Sequence, residues 1–392
     1  MDLLTNPVKD YPWGSRTAIA ALTGRTATGP EAELWLGAHP AAPSRLTRDG
    51  AETTLTDVIA ADPAGTLGEA VAERFGGRLP YLMKLIAVER PLSLQVHPDA
   101  EQAAAGHARG DANYTDPWHK PELVCALTPF TGLAGFRPAE QSAMLVDRLR
   151  VEPLRPVVGA LGDGDVLGAL RTLLEWPGSR RKLVESVVWA ASAVHAPDYA
   201  LVTRLARRYP EDPAVLAPLL MRRHTLAPGE ALFLGAGVPH CYLDGFAVEI
   251  MACSDNVLRA GLTGKPVDVE ELLRITDPVA QPVVVEPDDG AYGPPVPEFL
   301  LRRIAPGAAG VLVEAAPRIV LCVDGVVNVG TTGGAAGGST GGFSGGFSSG
   351  FSGGAEVKLR PGESVFVAAS EGRVHIGGDG VAFCAEPHMS LT

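Results

Sequence analysis

Apolar and polar positions alternate along PLSLQVHPD, residues 91–99. In an extended chain successive side chains point to opposite faces, so Leu92, Leu94 and Val96 share one face while Ser93, Gln95 and His97 share the other. The apolar face reads as core. The opposite face carries an amide and an imidazole, which a purely structural strand does not need. LPYLMKLIAV (79–88) and ELVCAL (122–127) are further strand-like runs, and an alanine-rich helix is expected over 101–110 between them.

From 141 to 221 the period changes. SAMLVDRLR, DVLGALRTLLEW, RRKLVESVVWAASAV and YALVTRLARRY place apolar residues at helical spacing, as in Leu167, Leu170 and Leu174 or Leu183, Val184, Val187 and Val188. Pro177-Gly178 and Pro210 break the run. Strand texture returns at 222 with EALFLGAG and HCYLDGFAVEIMA, VDVEELLRI (267–275) predicts a short helix, and a last β segment runs from about 290 to 392. LAPGEALF, starting at Leu226, and LRPGESVF, starting at Leu359, share L-x-P-G-E-x-x-F and predict two copies of one small β-barrel module. The second copy has Arg373 at the sequence position of His240, so it is expected to lack whatever His240 does, unless a bulge brings in His375. The glycine-rich run 330–354 reads as a flexible loop between strands of that last module. The pattern therefore predicts a mainly β chain with a helical insertion. Its parts are 1–140 plus 222–285 as one module, 141–221 as helices, and 286–392 as a degenerate second module.

Composition narrows the class. Gly (46) and Pro (33) are high, which favours turn-rich β architecture. The net charge of −12 argues against a nucleic-acid or anionic-membrane partner and leaves an anionic substrate to be drawn in by a local basic site. Five Cys with no C-x-x-C predict reduced thiols, and the N-terminus lacks the pattern of a signal peptide, so a cytoplasmic setting is expected.

Four segments concentrate the chemistry: QVH (95–97), YTDPWHKPE (114–122), VPHCY (238–242) and VEIMACSDNVLRAGLTGK (248–265). Pro121 biases Lys120 toward an extended conformation, so Lys120 and Glu122 are expected to point the same way. His240 follows G-A-G-V-P, a tight turn delivering an imidazole at the mouth of a strand. Gln95, His97, Glu122 and His240 together offer a divalent-metal shell of two imidazoles, a carboxylate and an amide, suited to zinc and acceptable to Fe, Mn or Co. Each residue alone has a plainer reading: an inward His as core, Lys-Pro-Glu as a solvated turn, Asp255-Asn256 as a turn or cap.

At these residues the chain resembles the type I mannose-6-phosphate isomerases of the cupin superfamily. That family carries Y-x-D-x-N-H-K-P-E, met here by YTDPWHKPE. It also carries H-A-Y…G…E-x-M-A-x-S-D-N-x-x-R-A-G-x-T-P-K, met by HCYLDGFAVEIMACSDNVLRAGLTGK. GEALFLGAGVPH follows the second cupin motif with Gly235 replacing Pro, and YPWGS (11–15) and AELWLGAHPAAPS (32–44) also look like family segments. The resemblance spans residues 1 to about 280. Trp118 for Asn, Cys241 for Ala and Gly264 for Pro depart from the pattern, and none removes a proposed ligand.

The resemblance implies cupin-type antiparallel β-barrels of the jelly-roll kind, two modules plus a helical domain. It implies one Zn2+ per chain on Gln95, His97, Glu122 and His240, an active-site arginine at Arg259, and pocket residues at Lys84, His119, Lys120, Glu249 and Asp255. The implied reaction interconverts mannose 6-phosphate and fructose 6-phosphate through an enediol. A metal stabilises the oxyanion and a base chosen among His119, Lys120 and Asp255 moves the proton. Lys84 and Lys265 are candidates to hold the phosphate, with Arg259 serving the phosphate or the developing charge. The expected partner is a small sugar phosphate, with no nucleic acid and no membrane, and a monomer is compatible with the sequence. Alternatives are an isomerase for another sugar on the same scaffold, a cupin that binds sugar or metal without turnover, and, more remotely, a metal-dependent dioxygenase.

Overall fold

The computed structural model describes residues 1–307, 311–331 and 355–391. Most of the glycine-rich run, 332–354, lies outside the described residues, and with it the loop expected there. The chain is mostly antiparallel sheet with a helical part, and it divides into two compact units. One comprises residues 1–11, 16–85 and 286–392; the other comprises 12–15 and 86–285.

In the second unit, strand His240–Ala252 belongs to two ladders. Its first residues pair with Phe130–Phe136, which pairs with Met221–Leu226 on its far side. His240 also faces Gln95 on strand Leu94–Val96, which in turn pairs with Leu258–Gly261. Its last residues pair with Glu122–Ala126, followed outward by Ala231–Leu234 and Val283–Val285. The strand passes from one ladder to the other at Gly245, whose φ is +126°, and a Cβ there would stand 2.7 Å from the backbone of Phe130. Only glycine fits a corner that tight.

Helices Ala139–Asp147, Arg155–Gly162, Val166–Leu174, Arg180–Ser192 and Pro197–Ala206 occupy the stretch where the period changes. Helix Arg180–Ser192 is typical: Ser179 caps it by accepting from the Lys182 N–H, and Leu183, Val184, Val187, Ala190 and Ala191 form its buried stripe. That stripe packs into one core with Leu94, Val96, Cys241, Leu243, Leu258 and Ala260. The apolar face of the QVH strand is thus buried under helices, leaving Gln95 on the opposite face. The alanine-rich helix forms over Ala100–Ala108 with a capping box between Asp99 and Gln102, two residues after His97. Residues 269–275 are helical as expected.

The other unit holds a six-stranded and a four-stranded antiparallel sheet built around its own core, which includes Val320, Val329, Val365 and Ile376. Its residues 55–74 fold into three short helices where the sequence reading has only strand and loop.

The L-x-P-G-E-x-x-F repeat folds the same way twice. Gly229 and Gly362 have φ of +90° and +85°. Glu230 and Glu363 each accept, through Oε2, the N–H of the residue before the proline, at 2.8 Å in both copies. Strand pairing extends the correspondence. Leu234 faces Glu122, and its counterpart Val367 faces Arg318. His240 faces Ala134 and Gln95, and by the same register Val374 faces Thr331 and Val313. His240 thus corresponds to Val374, one residue beyond the Arg373 that sequence offset alone indicates. His375 falls outside the corresponding position. The second copy has Val313, Arg318 and Val374 where the first has Gln95, Glu122 and His240.

Arg318 is fully buried, and its guanidinium donates to the carbonyls of Val313, Glu314, Ala368 and Gly372. Removing it strands those acceptors. Arg318→Ala should cost about 3–5 kcal/mol in urea unfolding, whereas Arg373→Ala, at an exposed side chain paired with exposed Glu314, should cost under about 1 kcal/mol. Equal midpoints for the two variants would refute the structural role of Arg318.

Candidate metal centre

Three strands and one turn bring the candidate ligands together. The His97 carbonyl accepts the Gly237 N–H at 3.0 Å, which ties the QVH segment to the G-A-G-V-P turn before His240. Gly237 takes φ of +74°, and a Cβ there would lie 3.0–3.3 Å from Asp277 and the Ile275 carbonyl. The Pro121 carbonyl accepts the Ala252 N–H at 3.1 Å and seats the Lys-Pro-Glu segment on strand His240–Ala252.

His97, Glu122 and His240 are buried, and each offers a ligand atom within 4.8 Å of the other two. Both imidazoles have their tautomer set by a backbone carbonyl. His97 Nδ1–H donates to the Asn256 carbonyl at 2.7 Å, and His240 Nδ1–H donates to the Val238 carbonyl at 3.0 Å. A carbonyl can only accept, so each Nδ1 carries the proton and each Nε2 keeps a lone pair. His97 Nε2 lies 3.2 Å from Glu122 Oε1, and His240 Nε2 lies 3.4 Å from Glu122 Oε2. His97 Nε2 and Glu122 Oε2 make no hydrogen bond. Lone pairs therefore face a carboxylate with no proton between them, an arrangement that a cation relieves. Gln95 completes the group, its amide 3.1 Å from His240 Nε2; the amide's two ends are interchangeable in shape, so the oxygen can be offered instead.

Burial pushes the His97 imidazole down to about 4, against the pull of Glu122, so it is neutral at neutral pH. Burial opposes ionisation of Glu122, but the Lys120 ammonium beside it favours the carboxylate, and the carboxyl is held well below the usual range. The Lys120 ammonium is 3.2 Å from Glu122 Oε1.

Arg259 faces Gln95 across the ladder, and Gln95 faces His240. Paired residues lie on one side of a sheet, so the three form a row. Burial alone lowers the Arg259 pKa, and among the described residues no carboxylate pairs with its half-buried guanidinium. Glu249 is buried on the strand beside Glu122, facing Val124 two rungs from the Glu122–Met251 pair. His119 is half-buried and Asp255 exposed, its N–H donated to Asp116 Oδ2. Lys265 is exposed, and its ammonium has no hydrogen bond or ion pair among the described residues. Lys84 belongs to the other compact unit; there it is buried 3.9 Å from Glu33 and lies over the Trp35 ring. Trp118 is 41% exposed, with its carbonyl bound by Ser254 and Asn256.

Sequence reasoning gave no role to Asp116 and Ser254 and read Asn256 only as part of a turn or cap; the three join the two long motifs. Asp116 Oδ1 accepts from Ser254 Oγ and the Trp118 N–H, and Asn256 binds the backbone of residues 115, 116 and 118. Small polar residues at both loops were the available signal.

Residues 1–139 match the family model for the phosphomannose isomerase type I catalytic domain. The chain is 35% identical to the mannose-6-phosphate isomerase of Escherichia coli (strain K12) over 97% of its own length and 98% of that protein's. It is 34% identical to that of Rattus norvegicus over 82% and 86% of the two lengths. A crystal structure of mannose 6-phosphate isomerase bound with zinc and yttrium superposes with a TM-score of 0.86 at 32% identity, covering 99% of both chains.

The fold favours neutral His97, so the unfolded chain takes up the proton first as pH falls. For metal-free protein this contribution is intact above about 6.5 and is lost between about 6.5 and 4; Glu122, held low, adds a loss of the same sign at lower pH. The His97 share should approach about 3 kcal/mol. Urea unfolding of chelator-treated protein should show the slope, and His97→Gln should flatten it; parallel pH profiles for the two proteins would contradict the assignment.

Proposed function

The chain belongs to the type I mannose-6-phosphate isomerases, and we propose that it interconverts D-mannose 6-phosphate and D-fructose 6-phosphate with one zinc held by His97, Glu122, His240 and Gln95. The observation that carries this is the convergence of two imidazole lone pairs and a carboxylate in a buried site with no proton to separate them. Iron, manganese or cobalt could occupy the same mixed nitrogen and oxygen set.

The bound ion supplies Lewis-acid stabilisation of the oxyanion that develops at the sugar carbonyl. The protein's own groups do the rest. Lys120, ion-paired with Glu122, presents an ammonium beside the site, suited to holding a substrate oxygen as charge grows on it. Glu122 is committed to the cation and is a poor base. The proton that moves between C2 and C1 falls to His119 or Asp255, because a Lys120 ammonium engaged by a carboxylate has no lone pair to offer. Arg259 lies in the ligand row without a carboxylate partner and is assigned to the phosphate or the developing charge. Glu249 and Lys84 are assigned to substrate binding, and Lys265 to outer phosphate contact.

We read the two β parts as cupin-type jelly-roll modules, supported by the matching turn geometry of the L-x-P-G-E repeat. The modules run 1–140 with 222–285 and 286–392, with 141–221 as a helical domain. No described helix is long and apolar enough to cross a membrane, and the five cysteines are free thiols, which suits a cytoplasmic enzyme acting on a small sugar phosphate.

A coupled assay for fructose 6-phosphate tests the reaction. Activity should vanish on chelation and return with Zn2+, and mannose 6-phosphate should far outrun free mannose; full activity in stripped protein would overturn the metal's role. Arg259→Ala should lower kcat/KM by at least about 100-fold with zinc content intact. A near-wild-type rate would remove Arg259 from the chemistry. Of His119→Gln and Asp255→Asn, the variant lacking the base should lose about 10²–10⁴-fold in kcat.

A further inference from the structure

We propose that Asn256 is a positioning residue of the metal centre, whose side chain clasps the loop bearing Lys120 while its backbone carbonyl fixes the imidazole of His97. The proposal rests on the reading of His97, Glu122 and His240 as metal ligands and deepens it.

Asn256 is fully buried, and every polar atom it owns is engaged. Its Oδ1 accepts from the N–H groups of Thr115, at 2.8 Å, and Asp116, at 3.4 Å. Its Nδ2 donates to the carbonyls of Asp116, at 2.7 Å, and Trp118, at 2.8 Å. Its backbone N–H donates to Ser254 Oγ at 3.2 Å, and its carbonyl accepts from His97 Nδ1–H at 2.7 Å. A carboxamide is the neutral group that presents an acceptor and a two-proton donor in one plane. Here that plane matches two N–H groups and two carbonyls of residues 115–118, the segment leading directly into His119 and Lys120.

The side chain and the carbonyl act together. While the side chain is anchored to the 115–118 backbone, the 256 peptide stays in place and its carbonyl points at His97. If the carbonyl turned away, His97 Nδ1–H would lose its acceptor, and the proton could move to Nε2, where it would occupy the lone pair the metal needs. Partners of this kind, which orient a ligand without touching the ion, typically account for 10- to 100-fold in metal affinity.

The test measures zinc affinity by competition with a chromophoric chelator, on folded apo-protein, alongside the visible spectrum of the cobalt-substituted form. Asn256→Asp keeps the shape but sets an anionic acceptor against the Asp116 and Trp118 carbonyls; Asn256→Ala removes the clasp. Both should bind zinc about 10- to 100-fold more weakly than wild type and alter the cobalt d–d bands, while circular dichroism of the apo-protein stays native. Should either fail to fold, Ser254→Ala, which frees only the Asn256 N–H and the ties to Asp116 and Trp118, should still weaken zinc measurably, by about threefold or more. Folded Asn256 variants, or folded Ser254→Ala in their stead, with wild-type zinc affinity and cobalt spectrum would overturn the role of Asn256 alone. Wild-type protein that binds no zinc would overturn the metal site, and this proposal with it.

Discussion

Two imidazole nitrogens and a carboxylate, all buried, face each other with their lone pairs. Such an arrangement is unfavourable in isolation, since each group has left water and, apart from the Lys120 ammonium on Glu122 and the Gln95 amide at His240, meets other acceptors. It persists because the surrounding backbone leaves no alternative. The Asn256 and Val238 carbonyls hold the protons on the far side of each ring. The Gly237 N–H on the His97 carbonyl keeps the two ligand segments in register. The helix capped by Asp99 stops the QVH strand just past His97. A cation turns this local repulsion into coordination, so the site's cost to the apo-fold and its affinity for metal have one origin.

The second copy of the repeat meets the same problem differently. Where Glu122 stands in one copy, Arg318 stands in the other, and the imidazole and amide positions hold Val374 and Val313. The interior of that module therefore carries its own covalently attached cation, hydrogen-bonded by four backbone carbonyls. One backbone plan accommodates either a set of facing acceptors suited to an exchangeable ion or a fixed guanidinium whose two terminal nitrogens are bound by carbonyls. The catalytic copy is then recognisable by its buried set of facing acceptors, not by its fold.

Much of this was readable in the chain. Strand parity put Gln95 and His97 on one face and Lys120 with Glu122 on another, because a period of two is a strict geometric rule. The helices of 139–206 announced themselves through long apolar stripes. The helices of 55–74 did not, since each spans at most two turns and their capping by Thr54 and Asp62 matters more than any stripe. The equivalence of His240 with Val374 was hidden for another reason: the turn after the repeat is one residue longer in the second copy, and pairing register, not residue counting, decides which side chain faces inward. The Asp116, Ser254 and Asn256 clasp was hard to read because most of its partners are backbone atoms, and small polar residues at two distant loops were its sole trace in the sequence.

The charge layout connects the metal to substrate capture. The chain carries a net charge of −12, so its long-range field repels a sugar phosphate. Within the site, Lys120 is cancelled by Glu122, and Arg259 is the one described cation in the ligand row without a carboxylate partner. Arg259 alone cannot balance a phosphate dianion. A divalent ion beside it makes the pocket strongly positive against the acidic exterior, and the low dielectric of a buried site magnifies that contrast at short range. On the proposed reading, a bound ion would then contribute to holding the phosphate end through the local field as well as to stabilising charge at the carbonyl. On the proposed assignment of Arg259 to an anionic substrate, its lack of a carboxylate partner follows despite the cost of half-burying a guanidinium, since a resident carboxylate would cancel the charge on offer.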